Sequence, residues 1–271
     1  MIRKLYPGGK TKAFNISYDD GVVQDVRFVE LLNRYGLKGT FNLNYGLLRQ
    51  SFTWQHECGM TVRRIPENQI NRVYEGHEIA SHSFTHPYFD CMSEIEILKE
   101  LGSDKFFLER LTEREVVGYA TPFYYYNDLM ADCVRHCGFE YARISEESND
   151  YSIPEDFYCW RGSKFHWDED LEGFVQGFLE TDQELALCQL VGHSYDLDVL
   201  NLWDSMERIC RWVSDSGVVW AATHLELVQY LRAMNKAQVT EQRVCNNSDL
   251  PLWFSVHGRS ICIQPGEYVP L

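Results

Sequence analysis

The stretch AFNISYDDGVVQDVRFVELLNRYGLKGTFNL, residues 13–43, contains one complete unit of strand, helix and strand. Ala13–Tyr18 and Thr40–Leu43 are short runs rich in apolar and β-branched residues, which is typical of strands. Val23–Tyr35 between them is amphipathic, and Gly36 then ends the predicted helix. A strand, a helix and a second strand in this order are the pattern of a β/α fold.

The same alternation continues to about residue 235. Further apolar runs predict strands at Glu78–Ser81, Val116–Ala120, Glu140–Ile144, Leu187–Gly192 and Val218–Ala222. Amphipathic stretches between the runs predict helices at Ser93–Leu111, Asp128–Cys137, Leu171–Glu180 and Asp204–Ser214. About seven units suit a distorted (β/α) barrel better than an open doubly wound sheet, because no glycine-rich phosphate loop follows the first strand. The open sheet remains an alternative.

The pattern changes near the end of the chain. Residues 238–271 alternate apolar and polar side chains and contain an HGRS turn, which predicts a few antiparallel strands. We therefore expect a barrel domain over residues 1–237 and a small C-terminal β segment over 238–271.

Composition and charge exclude several classes of function. The chain has 271 residues, with 25 Lys and Arg against 40 Asp and Glu, for a net charge of −15. Nucleic acids and anionic membrane surfaces are poor partners for such a chain. No signal peptide or membrane-spanning run is seen, so we expect a soluble, cytoplasmic protein. Nine scattered cysteines without a Cys-x-x-Cys pair predict reduced thiols.

Two pairs of chemically active residues follow predicted strands. Asp19 and Asp20 follow the first strand, and His82 and His86 follow the third. Because the ends of parallel strands converge on one face of a barrel, these four side chains can meet. Two imidazoles and one carboxylate would leave open positions on a zinc or similar divalent ion, with the second aspartate free as a base. The alternative for the aspartates is an ordinary turn at a strand end.

Four motifs of the sequence resemble those of one enzyme family. SYDDG at 17–21, SHSFTHP at 81–87, GYATPFYYYND at 118–128 and LVGHSYD at 190–196 are similar, in order, to motifs of the polysaccharide deacetylase family. That family is also described as NodB-homology proteins or carbohydrate esterase family 4. The resemblance covers most of residues 10–235 and implies a distorted barrel of about seven units.

The resemblance also implies a set of functional residues. Carried over position by position, it assigns three metal ligands, a general base, a general acid and an oxyanion donor. The implied metal ligands are Asp20, His82 and His86. The implied general base is Asp19, the general acid is His193, and the oxyanion donor is the backbone N–H of Phe123. The implied cofactor is a divalent metal, zinc first, with cobalt or nickel as alternatives. The implied reaction is attack by a metal-activated water on an N-acetylated carbohydrate, which releases acetate and a free amine.

The sequence departs from the family pattern at two places. Ala120 stands where the third motif usually has an arginine that orients the base, and Tyr124 stands where a glycine often follows the aromatic residue. The acidic pair and tryptophan of the fourth motif have only a partial counterpart in Asp156 and Trp160. The support of His193 is therefore left open by the sequence.

Aromatic and histidine residues near the motifs are weaker candidates for substrate contact, with core packing as the alternative reading. These candidates are Pro122, Tyr124, Trp160, His166 and Tyr195. Two other functions remain open: a hydrolase of another linear amide or of an O-acetyl ester, and a degenerate barrel that binds glycans without turnover. A glycosidase is disfavoured, since adjacent aspartates do not readily flank a glycosidic bond.

Overall fold

The computed structural model describes residues 2–271. The strands of this part are β1 (Ile2–Leu5), β2 (Lys12–Asp19), β3 (Gly39–Leu43), β4 (Thr53–Gln55), β5 (Thr61–Arg63), β6 (Glu78–Ser81), β7 (Gly118–Ala120), β8 (Tyr141–Glu147), β9 (Trp160–Gly162), β10 (Lys164–Phe165), β11 (Ala186–Gly192), β12 (Val219–Ala221), β13 (Gln238–Val239), β14 (Arg243–Cys245), β15 (Leu252–Val256), β16 (Arg259–Ile263) and β17 (Tyr268–Pro270). The helices are α1 (Asp25–Arg34), α2 (Tyr45–Arg49), α3 (Ile70–Val73), α4 (Glu94–Thr112), α5 (Asp128–His136), α6 (Leu171–Glu180), α7 (Ser194–Val199), α8 (Trp203–Asp215) and α9 (His224–Asn235).

The central sheet is parallel and nearly closed. Its strand order is β10-β11-β2-β3-β6-β7-β8-β9, and β12 also pairs with β2. Only Ser163 separates β9 from β10, so the two ends of the sheet meet, and the Ser163 N–H donates to the Gln189 carbonyl over 2.9 Å. The expected distorted (β/α) barrel is therefore confirmed, and the open-sheet alternative is wrong.

Burial explains why these segments form strands and helices. Every residue of β2 and of β11 is buried, because helices cover the outside of the sheet. α1 packs one face against the sheet through Phe28, Val29 and Leu32, and its other face is exposed. The hairpin of β4 and β5, inserted after β3, and the pair β9 and β10 are not predicted by the sequence pattern.

The expected C-terminal β segment is confirmed, and it also takes in the start of the described chain. β13, β14 and β17 form one antiparallel sheet, and β15 and β16 form another with β1, in which Ile2 pairs with Val256. Buried side chains of this region, such as Leu252 and Phe254, share a core with α9 and the amino ends of the barrel strands. The division into two domains at residue 238 stays a prediction.

Among residues 2–271, no helix combines the length and the apolar character needed to cross a membrane.

Candidate active site

A sharp backbone turn separates the two adjacent aspartates. β2 ends at Asp19, and Asp20 has a φ of 83°, in the left-handed region that side chains other than glycine rarely adopt. Gly21 follows with a φ of 64°, and a Cβ there would lie 2.7 Å from the Leu43 side chain, so any other residue would be strained and would displace Leu43. Neighbouring side chains of an extended strand point apart, and the turn instead places both buried carboxylates in one site.

Asp20, His82 and His86 form a cluster suited to a metal ion. Their ligand atoms all lie within 4.8 Å of one another. His82 Nδ1 lies 2.8 Å from the Ala120 carbonyl, which can only accept, so Nδ1 carries the proton and Nε2 is left as a ligand. Burial lowers the pKa of His82 to about 4, which keeps the ring neutral. Two neutral imidazoles and one carboxylate are a donor set that fits zinc or a similar divalent cation.

Asp19 is hydrogen-bonded to Arg143 and Asn42 and is not part of the cluster of possible metal ligands. Arg143 Nη2 donates to both carboxylate oxygens of Asp19, at 2.5 and 2.6 Å, and Asn42 Nδ2 donates to Oδ1 at 2.7 Å. Burial alone would raise the pKa of Asp19, but the Arg143 charge holds it below its usual range. Asp19 Oδ2 lies 3.9 Å from His82 Nε2, so an ionised carboxylate adjoins the candidate metal site.

Arg64 grips Asp20 at two points. One guanidinium nitrogen donates to the backbone carbonyl of Asp20 and to Asn44 Oδ1, and the other donates to Asp20 Oδ1 over 3.0 Å. Arg64 is buried directly after β5, so the hairpin of β4 and β5 places it in the site. Burial alone would raise the pKa of Asp20, but the Arg64 charge holds it well below its usual range. The contact to the carbonyl also fixes the left-handed turn.

His193 begins a chain of polar contacts that leads into the protein. Its Nδ1 lies 3.0 Å from Asp196 Oδ2, and His166 Nε2 lies 3.4 Å from the same oxygen. His166 Nδ1 in turn contacts the Tyr18 hydroxyl. Burial alone would lower the pKa of His193, but the bond to Asp196 and the nearby carboxylates raise it to about 9. His193 Nε2 lies 4.0 Å from Asp20 Oδ2, so a protonated imidazole faces the cluster.

A cavity of about 610 Å³ opens above these groups. Tyr124 and Tyr195, predicted for substrate contact, line it, and so does Phe123, whose φ is 53°. The Phe123 N–H has no hydrogen-bond acceptor among residues 2–271, which leaves it available to a ligand.

The other predicted contact residues lie outside the cavity lining. Pro122 and His166 are buried beside it, and Trp160 is buried against Tyr141 and His224 in the core at the amino ends of the strands. A role for Trp160 in core packing, the alternative reading, agrees with this position.

The sequence of residues 7–142 matches the family model described as polysaccharide deacetylase. The match spans 136 of the 271 residues. The chain belongs to the polysaccharide deacetylase family. Among curated protein sequences, none is significantly similar to this chain.

Solved structures of this family share the fold. A putative polysaccharide deacetylase from Mycobacterium smegmatis is 17% identical, with a TM-score of 0.61 over 86% of this chain and 94% of that one. A family 4 acetyl xylan esterase from Clostridium thermocellum, in complex with a cobalt ion, is 16% identical, with a TM-score of 0.54 over 81% and 91%. A CE4 family pseudoenzyme from Bacillus anthracis is 16% identical, with a TM-score of 0.51 over 83% and 68%. The chain spans 55% of a further match, a Streptococcus pyogenes deacetylase.

Two supporting residues to which the sequence assigned no role are visible in the structure. Arg143 comes from β8 and is the register partner of Ala120 on β7, so an arginine reaches Asp19 from the strand beside the motif position. Asp196 contacts His193 from three residues further along the chain. Asp156, the partial match to the fourth motif, is exposed and lies 3.6 Å from Arg135 instead. A charged residue in the middle of a predicted buried strand was the available signal for Arg143.

Proposed function

We propose that this chain is a metal-dependent hydrolase that removes N-acetyl groups from an amino sugar, an oligosaccharide or a polysaccharide. One observation carries the proposal: Asp20, His82 and His86 converge within 4.8 Å, beside a second carboxylate, Asp19, that an arginine holds in place. A metal site with an adjacent free base, at the floor of a cavity, is the arrangement that hydrolysis of an unactivated amide requires.

The metal we propose is zinc, with cobalt or nickel as alternatives. When bound by Asp20, His82 and His86, such an ion would supply a Lewis acid that lowers the pKa of water and polarises a carbonyl. The hydrogen bond from His82 to the Ala120 carbonyl supports this assignment, because ligating histidines are normally oriented through their other ring nitrogen.

Asp19 is proposed as the general base. Its carboxylate is ionised, it adjoins the ligand atom of His82, and the Arg143 guanidinium and the Asn42 amide fix its orientation. In this position it can accept the proton that the attacking water loses. The base is therefore held before the substrate arrives, which avoids reorganisation during the reaction.

His193 is proposed as the general acid. Asp196 orients the ring and favours its protonated form, and Nε2 faces the Asp20 carboxylate at 4.0 Å. The proton would go to the amine nitrogen as the C–N bond breaks, so that acetate and a free amine leave. The free N–H of Phe123 is proposed to stabilise the oxyanion of the tetrahedral intermediate.

An O-acetyl esterase is the second candidate function. The same residues can catalyse ester hydrolysis, and the Clostridium thermocellum structure of the same fold is an acetyl xylan esterase. A third candidate, glycan binding without turnover, is suggested by the Bacillus anthracis pseudoenzyme. Arg143 and Asp196 speak against this third reading, because both groups support residues that only a reaction needs.

Metal analysis combined with acetate release tests the proposal. We expect about one divalent ion in protein purified without added metal, and acetate release from N-acetylated sugars that exceeds release from O-acetylated ones. Asp19→Asn should abolish turnover and keep the metal, whereas Asp20→Ala should lose the metal. Stoichiometric metal without acetate release from any N-acetyl sugar would count against the proposal, and full metal occupancy in Asp20→Ala would remove that ligand.

A further inference from the structure

A continuous arc of aromatic rings stands along one side of the cavity. It runs through Phe165, Trp167, His193, Tyr195, Trp54 and Phe52, all of which line the cavity. We call these six residues the aromatic arc.

The rings of the arc are in contact from one end to the other. Successive centroids lie 4.7, 6.1, 4.9, 5.7 and 6.3 Å apart, in the order just given. Aromatic rings in direct contact have centroid separations of about 4.5–7 Å, so each ring touches the next. Because neighbouring rings are in contact, no gap wide enough for a sugar chain lies between them.

The inserted hairpin supplies two of the six rings. Phe52 and Trp54 lie on or next to β4, and Trp54 reaches across the site to meet Tyr195 edge-on. The Arg64 guanidinium lies 5.3 Å from the Trp54 ring centroid and also holds Asp20. The position of Trp54 is therefore fixed through the same arginine that fixes a proposed metal ligand.

Exposed aromatic rings also stand on the other side of the barrel. Phe123 and Tyr124 follow β7, which lies across the barrel from β11 and β2 in the strand order. Tyr124 is 79% exposed there, and Tyr88, stacked on Phe123 with centroids 3.8 Å apart, is 68% exposed. These exposed rings offer an approaching substrate a contact surface on the side of β7.

The cavity wall is largely aromatic outside the proposed catalytic groups. The charged and histidine side chains lie at the proposed catalytic groups, and none of the described lining residues is Asn, Gln, Lys or Glu. Outside those groups, the wall offers aromatic faces, which suit the apolar faces of a pyranose ring, and the hydroxyls of Thr85 and Ser145 for a few hydrogen bonds. The volume of about 610 Å³ lies within the range of about 300–1,000 Å³ of small-molecule sites.

We propose that the site accepts one N-acetylated sugar ring at the end of a chain or in a short molecule, and does not accept an internal unit of a polymer. This inference rests on the proposed function for its reaction, but its geometric content concerns binding. The aromatic arc acts as the stop against which the terminal ring is placed.

Chain-length dependence tests the inference. The probes are β-1,4-linked N-acetylglucosamine oligomers of two to six units, titrated by calorimetry into metal-loaded wild type and Asp19→Asn. We expect the Kd to change less than about threefold from dimer to hexamer, and mass spectrometry to show one acetate lost per chain, from a terminal unit. Tightening of more than about tenfold with length, loss of internal acetyl groups, or no binding of any oligomer would overturn the inference. Binding independent of length but without acetate would refute the proposed function and leave this inference supported.

A variant that opens the arc provides the second test. Trp54→Ala should let longer chains cross the site, so that a hexamer loses more than one acetate and binds more tightly than a dimer. Trp54→Phe keeps a ring at this position and should still lose only one acetate per hexamer, whatever its rate. Phe106→Ala, which removes an exposed aromatic ring on α4, is the matched control and should change neither result. One acetate per hexamer in a folded Trp54→Ala protein would contradict the role of the arc as a barrier.

Discussion

Ala120 and Arg143 are register partners on neighbouring parallel strands, and from this position Arg143 donates to the Asp19 carboxylate at 2.5 and 2.6 Å. The small side chain of Ala120 lies where the family usually has an arginine. The cation that orients the proposed base is thus present in this chain, on the adjacent strand. The relationship can be tested by removing the arginine at position 143 and placing one at position 120.

Arg143→Ala should lower kcat by about 10²–10³-fold and leave metal content unchanged, because Asp19 loses the cation that orients and ionises it. The double variant Arg143→Ala with Ala120→Arg should recover part of kcat, since the two positions are neighbours on adjacent strands. Kinetics with a fixed N-acetylated substrate and metal analysis of each protein provide the measurement. A double variant no better than Arg143→Ala would show that position 120 cannot reach Asp19.

Arg64→Ala should weaken metal affinity by about 10–100-fold, because Asp20 loses both the hydrogen bond to its carboxylate and the contact that fixes its backbone. Competition against a chelator of known affinity measures the change without reference to turnover. Arg63→Ala, at the exposed neighbouring residue, is the control and should retain wild-type affinity. Equal affinities in the two variants would mean that Arg64 has no part in metal binding.

Asp196→Asn should lower kcat by about 10²-fold, because the proposed acid loses the carboxylate that orients it and favours its proton. The pKa of His193, raised to about 9 with Asp196 present, should fall in the variant. The alkaline limb of the kcat profile, where the acid loses its proton, then moves to lower pH. Asp198→Asn, on the exposed side of α7, serves as control. An unchanged alkaline limb would exclude His193 as the group titrating there.

His77 should make the fold sensitive to acid. Its Nδ1 accepts a hydrogen bond from the Gly39 N–H and its Nε2 lies 3.1 Å from Asn33 Oδ1, so the ring is neutral in the folded protein. Burial lowers its pKa to about 4, below the ordinary value of about 6.5. The unfolded chain therefore binds a proton that the folded chain does not, and stability present above pH 6.5 is lost as the pH falls towards 4.

Urea unfolding at a series of pH values measures this effect. The free energy of unfolding of wild type should fall more steeply than that of His77→Asn, by about 1.4 kcal/mol per pH unit between pH 6.5 and 4. His136→Asn, at an exposed histidine at the end of α5, should keep the wild-type slope. Identical slopes in wild type and His77→Asn would refute the assignment.

Local pattern predicted the fold well where strands are long and buried. β2, β3, β6 and β11 lie within one or two residues of the expected ranges, because each is a short segment rich in apolar residues. The segment β9, Trp-Arg-Gly, is three residues long and has a charged residue at its centre, so no local pattern marks it. Its strand character comes from pairing with β8 and the approach of β11, which the sequence does not display.

In the site, likewise, some residues can be located from local motifs, and others are brought in only by contacts between distant parts of the chain. Asp20, His82 and His86 stand in motifs that can be located from the sequence alone. Arg143 is separated from Asp19 by 124 positions, and Arg64 from Asp20 by 44, so only the folded arrangement of strands brings each pair together. The aromatic arc likewise depends on an insertion folding back over the barrel.

The pairing of β1 with β15 has a consequence for the order in which the protein forms. Ile2 and Val256 are register partners, so the ribosome makes the second strand of the pair about 250 residues after the first. At about 5–20 residues per second, β1 waits roughly 10 to 50 s for its partner. The barrel strands can associate during synthesis, but the sheet that covers their amino ends is among the last parts to assemble. Until then, apolar residues at this end of the barrel, such as Tyr6 and Leu187, lie open to chaperones and to aggregation.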